Sequence, residues 1–368
     1  MKFDKLYICG LSHSGKSLML ELLDGHSNIY MCPYSEFTLS SILHKFEQYL
    51  EGEGRKLFFN KYDSANEELV FSIKFTENQI YSLSVNELIH FIFLNNASLR
   101  FMLKTYITNE YIHYSGDRIV LKHHLKFNLD IFILNLNNLI KNFKNDPLTI
   151  ENLDNLIFKS YMDSVDHSNN ISQDIKYIMK WGSNSIPQIM NLHNYYHYFK
   201  IIYLQRSIFN RSFSKVFEFI NQSKQNNNSK KNIKKIIKRL IFSMAQNLVI
   251  KESEHLKKIN FFKNSQKILI INFEDLFNSR EQTMKKIAKF LNLEYEVNLN
   301  KPSFFGHLID YKKFSENQIL ISPNEFFSKK EIIYYNQIIN NKFLLTIFVF
   351  FYKFTNSFRK LLNNNINI

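Results

Sequence analysis

The segment Gly10-Leu11-Ser12-His13-Ser14-Gly15-Lys16-Ser17 places two glycines five residues apart and follows them at once with a lysine and a hydroxyl. Residues of these types at this spacing could hold a phosphate-like anion. Glycines let the backbone turn tightly and aim successive N–H groups at one spot; the lysine adds charge, and the serine hydroxyl can bind magnesium or donate a hydrogen bond. Only 8 of the 368 residues are glycine, so two of them in this register stand out from the background. Read alone, the pattern is a Walker A loop and implies an ATP-dependent kinase or NTPase.

A loop of this kind works only between a strand and a helix. The apolar run Lys5–Cys9 predicts the strand, and Leu18-Met19-xx-Leu22-Leu23 predicts a helix over Ser17–Leu23, followed by an extended piece at Asn28–Met31 and a break at Pro33. Two later stretches repeat the alternation. Strand Lys200–Leu204 leads into a helical pattern at Phe213–Ile220, and strand Lys267–Phe273 leads through Glu274-Asp275-Leu276 into a helix at Gln282–Leu291. The fold class implied is α/β, a P-loop-like parallel sheet flanked by helices. Residues 39–179 are mostly helical in pattern, with Ile119-Val120-Leu121 as a short strand, and are expected to form a large helical insertion that shapes an acceptor cleft. The whole chain, 1–368, is read as one domain. Its core pieces lie at about 1–38, 180–220 and 265–295, with a C-terminal helical region at about 325–362.

Composition narrows the partners. A formal net charge of +14 suits an anionic ligand. The densest basic stretch, Lys230 to Arg239, reads as a solvated helix face or as a contact for an anionic acceptor or membrane; no aromatics interleave it, so nucleic acid is not expected. Two cysteines, Cys9 and Cys32, make no disulfide framework and no zinc spacing, and Cys9 is expected to be a buried small hydrophobe. A first strand close to residue 1, with no signal-like segment before it, argues for a cytoplasmic protein. The apolar run Phe343–Tyr352 has ten residues where a bilayer span needs about 20. It reads as a core helix, with a peripheral helix on a membrane surface as the alternative.

Other chemistry-bearing residues fit bland roles. His193 and His197 lie four apart but lack a third metal ligand at suitable spacing, so a tyrosine-rich packing helix is favoured. Glu274-Asp275 after an apolar strand could be a Walker B acid, or could cap the following segment. Trp181, the only tryptophan, reads as packing.

Three blocks carry a family resemblance. Gly10 through Ser17, continuing into Leu23-Asp24-Gly25-His26, resembles the 5′-phosphosulfate loop of the sulfotransferases that use 3′-phosphoadenosine 5′-phosphosulfate (PAPS). That loop commonly reads Gly-x-x-(Arg/Lys)-(Ser/Thr)-Gly-Thr-Thr-Leu and is followed by Leu-Asp-x-His. Lys180-Trp181-Gly182 to Pro187, leading to Ile201–Arg206, resembles the family's approach to its 3′-phosphate site, where an arginine ends a strand and a serine follows eight residues later; here these are Arg206 and Ser214. Asn272-Phe273-Glu274-Asp275-Leu276 with Ile287-xx-Phe290-Leu291 resembles the family's Tyr-Glu-Asp-Leu strand end and Phe-Leu-Gly helix end. The blocks occur in the family's order and cover about a third of the chain.

The resemblance implies transfer of a sulfuryl group from PAPS to a hydroxyl or amine of a carbohydrate or small metabolite, releasing adenosine 3′,5′-bisphosphate, with no metal. It implies that Ser12, His13, Ser14, Gly15, Lys16 and Ser17 bind the 5′-phosphosulfate and that Arg206 and Ser214 bind the 3′-phosphate. It also implies that His13 and Lys16 stand at the reacting group and that Glu36 takes the acceptor's proton. His123-His124 are the fallback base. The chain departs from the family pattern at His13, where Arg or Lys is usual, at Lys16, where Thr is usual, and at Ser207-Ile208, where Asp-Pro is common. Those departures leave open an ATP-binding kinase or NTPase, or an inactive nucleotide-binding relative.

Overall fold

The computed structural model describes residues 3–11, 14–31, 70–76, 79–88, 111–115, 118–123, 128–143, 147–164, 175–181, 196–222, 230–263, 266–304, 307–308, 323–325, 327–341 and 343–347. Its central element is a five-stranded sheet in the order β10-β9-β1-β8-β2. The strands are β1 (Asp4–Cys9), β2 (Ile29–Met31), β8 (Tyr177–Trp181), β9 (Phe199–Gln205) and β10 (Ile268–Asn272). Strand β8 pairs in parallel with both β1 and β2, and the sheet is the parallel sheet of a P-loop-like α/β fold.

The sequence places β1, β2, β9 and β10 to within one or two residues. Strand β8 was not expected as a strand, yet it sits between β1 and β2. Between 39 and 179 lie helices α2 (Leu129–Lys141) and α3 (Ile150–Ser164), as the helical pattern predicts, but also β3 (Val70–Thr76), β4 (Gln79–Ser84), β5 (Tyr111–Ser115), β6 (Arg118–His123) and β7 (Leu148–Thr149). The insertion is therefore mixed. Strands β3 and β4 form an antiparallel hairpin extended by β7, and β5 pairs with β6, which contains the expected Ile119–Leu121.

The chain divides into two compact units. The first comprises residues 1–9, 16–202 and 280–310. Strand β1 is buried along almost its whole length, which is why it reads as a continuous apolar run. Its one lysine, Lys5, is wholly buried, with Nζ 2.6 Å from Asn155 Oδ1 and 3.3 Å from Asp154 Oδ2 on α3. Helix α1 (Lys16–Leu23) runs from the loop, and the Leu23-Asp24-Gly25-His26 element locks its far end. His26 Nε2 donates to the Glu294 carbonyl at 2.9 Å, and its Nδ1 accepts from the Asn28 amide at 3.0 Å. Ser303 Oγ donates to Asp24 Oδ2 at 2.9 Å, and a side chain at Gly25 would meet the Asn298 carbonyl oxygen at 3.1 Å. This motif is an anchor for the segment after α7 (Arg280–Leu291).

Helix α7 itself ends in a Schellman turn. Asn292 takes the left-handed conformation at φ 54°, the Leu293 amide donates to the Ala288 carbonyl and the Asn292 amide to that of Lys289. Lys200 and Lys176 donate to the Phe290 and Asn292 carbonyls at 2.9 and 3.2 Å, placing cations where the helix dipole is negative.

The second unit comprises residues 10–15, 203–279 and 311–368. Helices α4 (Ile208–Gln222), α5 (Lys230–Lys263) and α8 (Lys329–Asn340) surround a core of Phe209, Phe213, Val216, Ile241, Phe242, Tyr335 and Ile338. The spacing 209, 213, 216 is the i, i+4, i+7 stripe of an amphipathic helix. Arg211, buried, ties α4 to α5 by donating to Glu252 at 3.1 Å. A capping box, Ser328 with Glu331, starts α8. The apolar C-terminal run is helical over 343–347; Leu345 joins the core while Phe343 is 73% exposed. Among the described residues no helix is long and apolar enough to cross a membrane.

Candidate functional site

The glycine loop joins β1 to α1, and its two glycines are there for steric reasons. Gly10 has φ +147° and Gly15 φ +95°, both in the region that L side chains avoid. A Cβ at Gly10 would lie 2.6 Å from the Leu204 carbonyl oxygen and 2.5 Å from Ser14 Oγ. A Cβ at Gly15 would lie 2.0 Å from two carbons of the Phe273 ring. The backbone thus runs tight against the ends of β9 and β10. Ser14 donates its amide to the Leu11 carbonyl at 3.2 Å, and its hydroxyl is buried with no protein partner. A hydroxyl in that position is available to a bound anion.

Lys16 is the first residue of α1 and Ser17 the second, so their amides are among the four at a helix start that lack an intrahelical acceptor. Lys16 is buried, at 7% exposure. Its charge reaches back to Cys9: burial pushes the Cys9 thiol up to about 12, and Lys16 opposes that rise. Cys9 is therefore the inert buried thiol the sequence suggests, not a nucleophile.

Arg206 follows the last residue of β9. Its guanidinium carbon lies 4.5 Å from the centroid of the Phe273 ring, the ring that abuts Gly15. One phenyl group therefore touches both the glycine loop and the strand-end arginine. Burial lowers the Arg206 pKa from its ordinary value; Glu274 opposes that fall and Arg211 adds to it. Glu274 is committed locally, its Oε1 accepting from the Ser207 amide and from Asn210 Nδ2, each at 3.2 Å. It does not cap its own helix, α6 (Asp275–Asn278), by a side-chain bond, but holds the turn that opens α4. Ser214, half-buried, sits on α4 beyond that turn.

Of the other residues singled out from sequence, Ser12, His13, Glu36, His124 and His193 lie outside the described residues, as does Cys32. His123 ends β6, and Trp181 ends β8. His197 is exposed and its Nδ1 lies 2.7 Å from Glu151 Oε2. It precedes β9, and Tyr198 pairs with Lys5 at the start of β1, so it sits at the strand end opposite Cys9 and the loop. No group of His, Cys, Asp or Glu suited to a metal occurs among the described residues. Sequence reasoning did not identify Phe273 as a site residue. An aromatic-acid pair ending one strand, with an arginine ending another, was the available signal.

No family model matches the chain. Over 342 residues, 90% of its length, it is 25% identical to protein Ycf2 of Physcomitrium patens, and it spans 14% of that protein. Solved structures of sulfotransferases are among those it resembles. The sulfotransferase domain from the curacin biosynthetic pathway aligns at a TM-score of 0.38, with 13% identity, over 93% of this chain and 98% of that one. The domain from the Synechococcus PCC 7002 olefin synthase aligns at 0.36, with 13% identity, over 88% and 90%. Sulfotransferase STF9 from Mycobacterium avium aligns at 0.37, with 10% identity, over 94% and 77%.

Proposed function

We propose that the protein is a sulfotransferase that moves the sulfuryl group of PAPS to a hydroxyl or amine of a small-molecule or glycan acceptor. The observation that carries this is the shared Phe273 ring, which brings Arg206 and the glycine loop onto one aromatic surface. The donor has two separate anionic ends joined by a ribose, and a phenyl ring is of that scale. A plain ATPase has no use for the second grip.

In this reading the amides from Ser14 to Ser17, the Ser14 hydroxyl and the Lys16 ammonium seat the 5′-phosphosulfate, while Arg206 and Ser214 take the 3′-phosphate. The buried, unpartnered Ser14 hydroxyl and the lack of room for a Cβ at Gly10 and Gly15 fit a cradle for phosphate oxygens. Glu36 removes the acceptor's proton as the acceptor oxygen or nitrogen bonds to sulfur. The bond from sulfur to the bridging oxygen breaks, and His13 meets the charge left on the departing 5′-phosphate. Fixed cations and amides supply the stabilisation.

The intact Gly15-Lys16-Ser17 favours the second reading, an ATP-dependent kinase or NTPase. Against it, Glu274 has a local role, its Oε1 accepting from the Ser207 amide and the Asn210 side chain of the turn that opens α4. Incubating the protein with sulfate-labelled PAPS and a panel of glycans and phenolic metabolites in EDTA tests the proposal. Label transfer is the expected result. ATP hydrolysis or phosphate transfer that needs Mg²⁺, with no label transfer, would establish the second reading instead.

A further inference from the structure

We infer that Phe273 and Glu274 are positioning residues for Arg206: together they form a mount that sets its guanidinium beside the glycine loop, and so confer the preference for a nucleotide bearing a 3′-phosphate. The inference rests on the proposed two-grip reading of the site and extends it to two residues that contact Arg206 and the turn after it.

Phe273 acts from below. Its amide donates to the Gln205 carbonyl at 2.7 Å, which brings the residue after β10 level with the end of β9. The Arg206 guanidinium carbon lies over its ring, 4.5 Å from the centroid, and the ring also fills the space that a Cβ of Gly15 would occupy. Phe277 packs edge-on against the same ring at 5.1 Å and fixes its tilt. A planar cation over an aromatic face has its N–H groups along its edge, and that edge is the one bidentate recognition of a phosphate uses.

Glu274 acts from the side. One carboxylate oxygen takes both the Ser207 amide and the Asn210 side chain, which ties down the turn directly after Arg206. The same carboxylate is near enough to oppose the burial-driven fall in the Arg206 pKa. A partly buried arginine without such a counter-charge would pay more to stay charged. Nothing in this arrangement needs Glu274 or Phe273 to contact the nucleotide.

The test compares dissociation constants for adenosine 3′,5′-bisphosphate and adenosine 5′-monophosphate, by calorimetric titration of the full chain, for wild type, Phe273→Leu, Phe273→Tyr, Glu274→Ala and Glu274→Gln. Phe273→Leu and Glu274→Ala should each weaken the bisphosphate about tenfold while leaving the monophosphate within about twofold; tenfold is the scale of one desolvated cation–π contact. Phe273→Tyr keeps the ring and Glu274→Gln keeps an acceptor oxygen, so both should restore most of the preference. If wild type binds both nucleotides equally, the two-grip reading fails and this inference with it. If wild type prefers the bisphosphate and the variants keep that preference, the mount alone is refuted. Equal loss of both ligands together with a lowered melting temperature would mean a purely structural role and would equally overturn it.

Discussion

Replacing Gly15 by alanine perturbs the loop at its tightest point, and the structure sets the size of the effect. The new Cβ would lie 2.0 Å from two Phe273 ring carbons, whereas ordinary carbon–carbon contact begins near 3.5 Å. The ring or the loop must therefore retreat by about 1.5 Å. Overpacking of this kind costs about 1–3 kcal/mol. Holding an L residue at the φ of +95° seen for Gly15 adds about 1–2 kcal/mol. The expected destabilisation is thus about 2–5 kcal/mol, read from urea unfolding. Gly25→Ala is the internal control, because its Cβ would meet its nearest atom at 3.1 Å and its φ is not positive; it should cost under about 1 kcal/mol. In a Phe273→Leu background the steric part of the Gly15→Ala penalty should shrink, giving a coupling of about 1 kcal/mol or more. A Gly15→Ala penalty no larger than that of Gly25→Ala, or strict additivity with Phe273→Leu, would refute the packing of that ring against the loop.

Three further outcomes follow from the same structure. Lys5→Met should destabilise by about 3–5 kcal/mol in urea, because it removes the buried cation that faces the buried Asp154 carboxylate. The double variant Lys5→Met/Asp154→Leu should regain most of that, and failure to regain it would contradict the pairing. Asn292→Gly should raise stability by up to about 1 kcal/mol, since glycine adopts the left-handed Schellman position without strain; a lower melting temperature would argue against that cap. The Cys9 thiol, pushed up to about 12 by burial, should resist alkylation at pH 8 in the native protein and react once unfolded, as followed on its peptide by mass spectrometry. Rapid native labelling would show that Cys9 is not enclosed.

The sheet and its helices were legible where burial imposes a simple pattern. β1 and β9 are buried on both faces and read as continuous apolar runs, and α4 and α7 carry clear helical stripes. β8 was missed because Tyr177-Ile178-Met179-Lys180-Trp181 alternates little and carries a lysine. Its place between β1 and β2 is set by tertiary pairing alone. The hairpin β3–β4 was hidden for another reason: its strands mix Lys74, Gln79 and serines with scattered apolar residues, and the register of the pair is not written in either strand by itself. At the site, the loop and Arg206 were visible because each is a local signal. Their meeting on Phe273 was not, because that contact spans 67 residues, Arg206 to Phe273, and arises from β10 lying next to β9. Leu23-Asp24-Gly25-His26 was noticed as a pattern, yet only the bonds to Glu294 and Ser303 show it to be an anchor.

The most direct measurement is the ratio of dissociation constants for adenosine 5′-monophosphate and adenosine 3′,5′-bisphosphate, titrated without magnesium into wild type and Arg206→Ala. A charge-assisted pair contributes about 1.5–3 kcal/mol, so wild type should favour the bisphosphate by about 10–100-fold. Arg206→Ala should bind the two nearly alike, with its monophosphate affinity little changed. A wild-type ratio near one, or a preference that survives the loss of Arg206, would contradict the account.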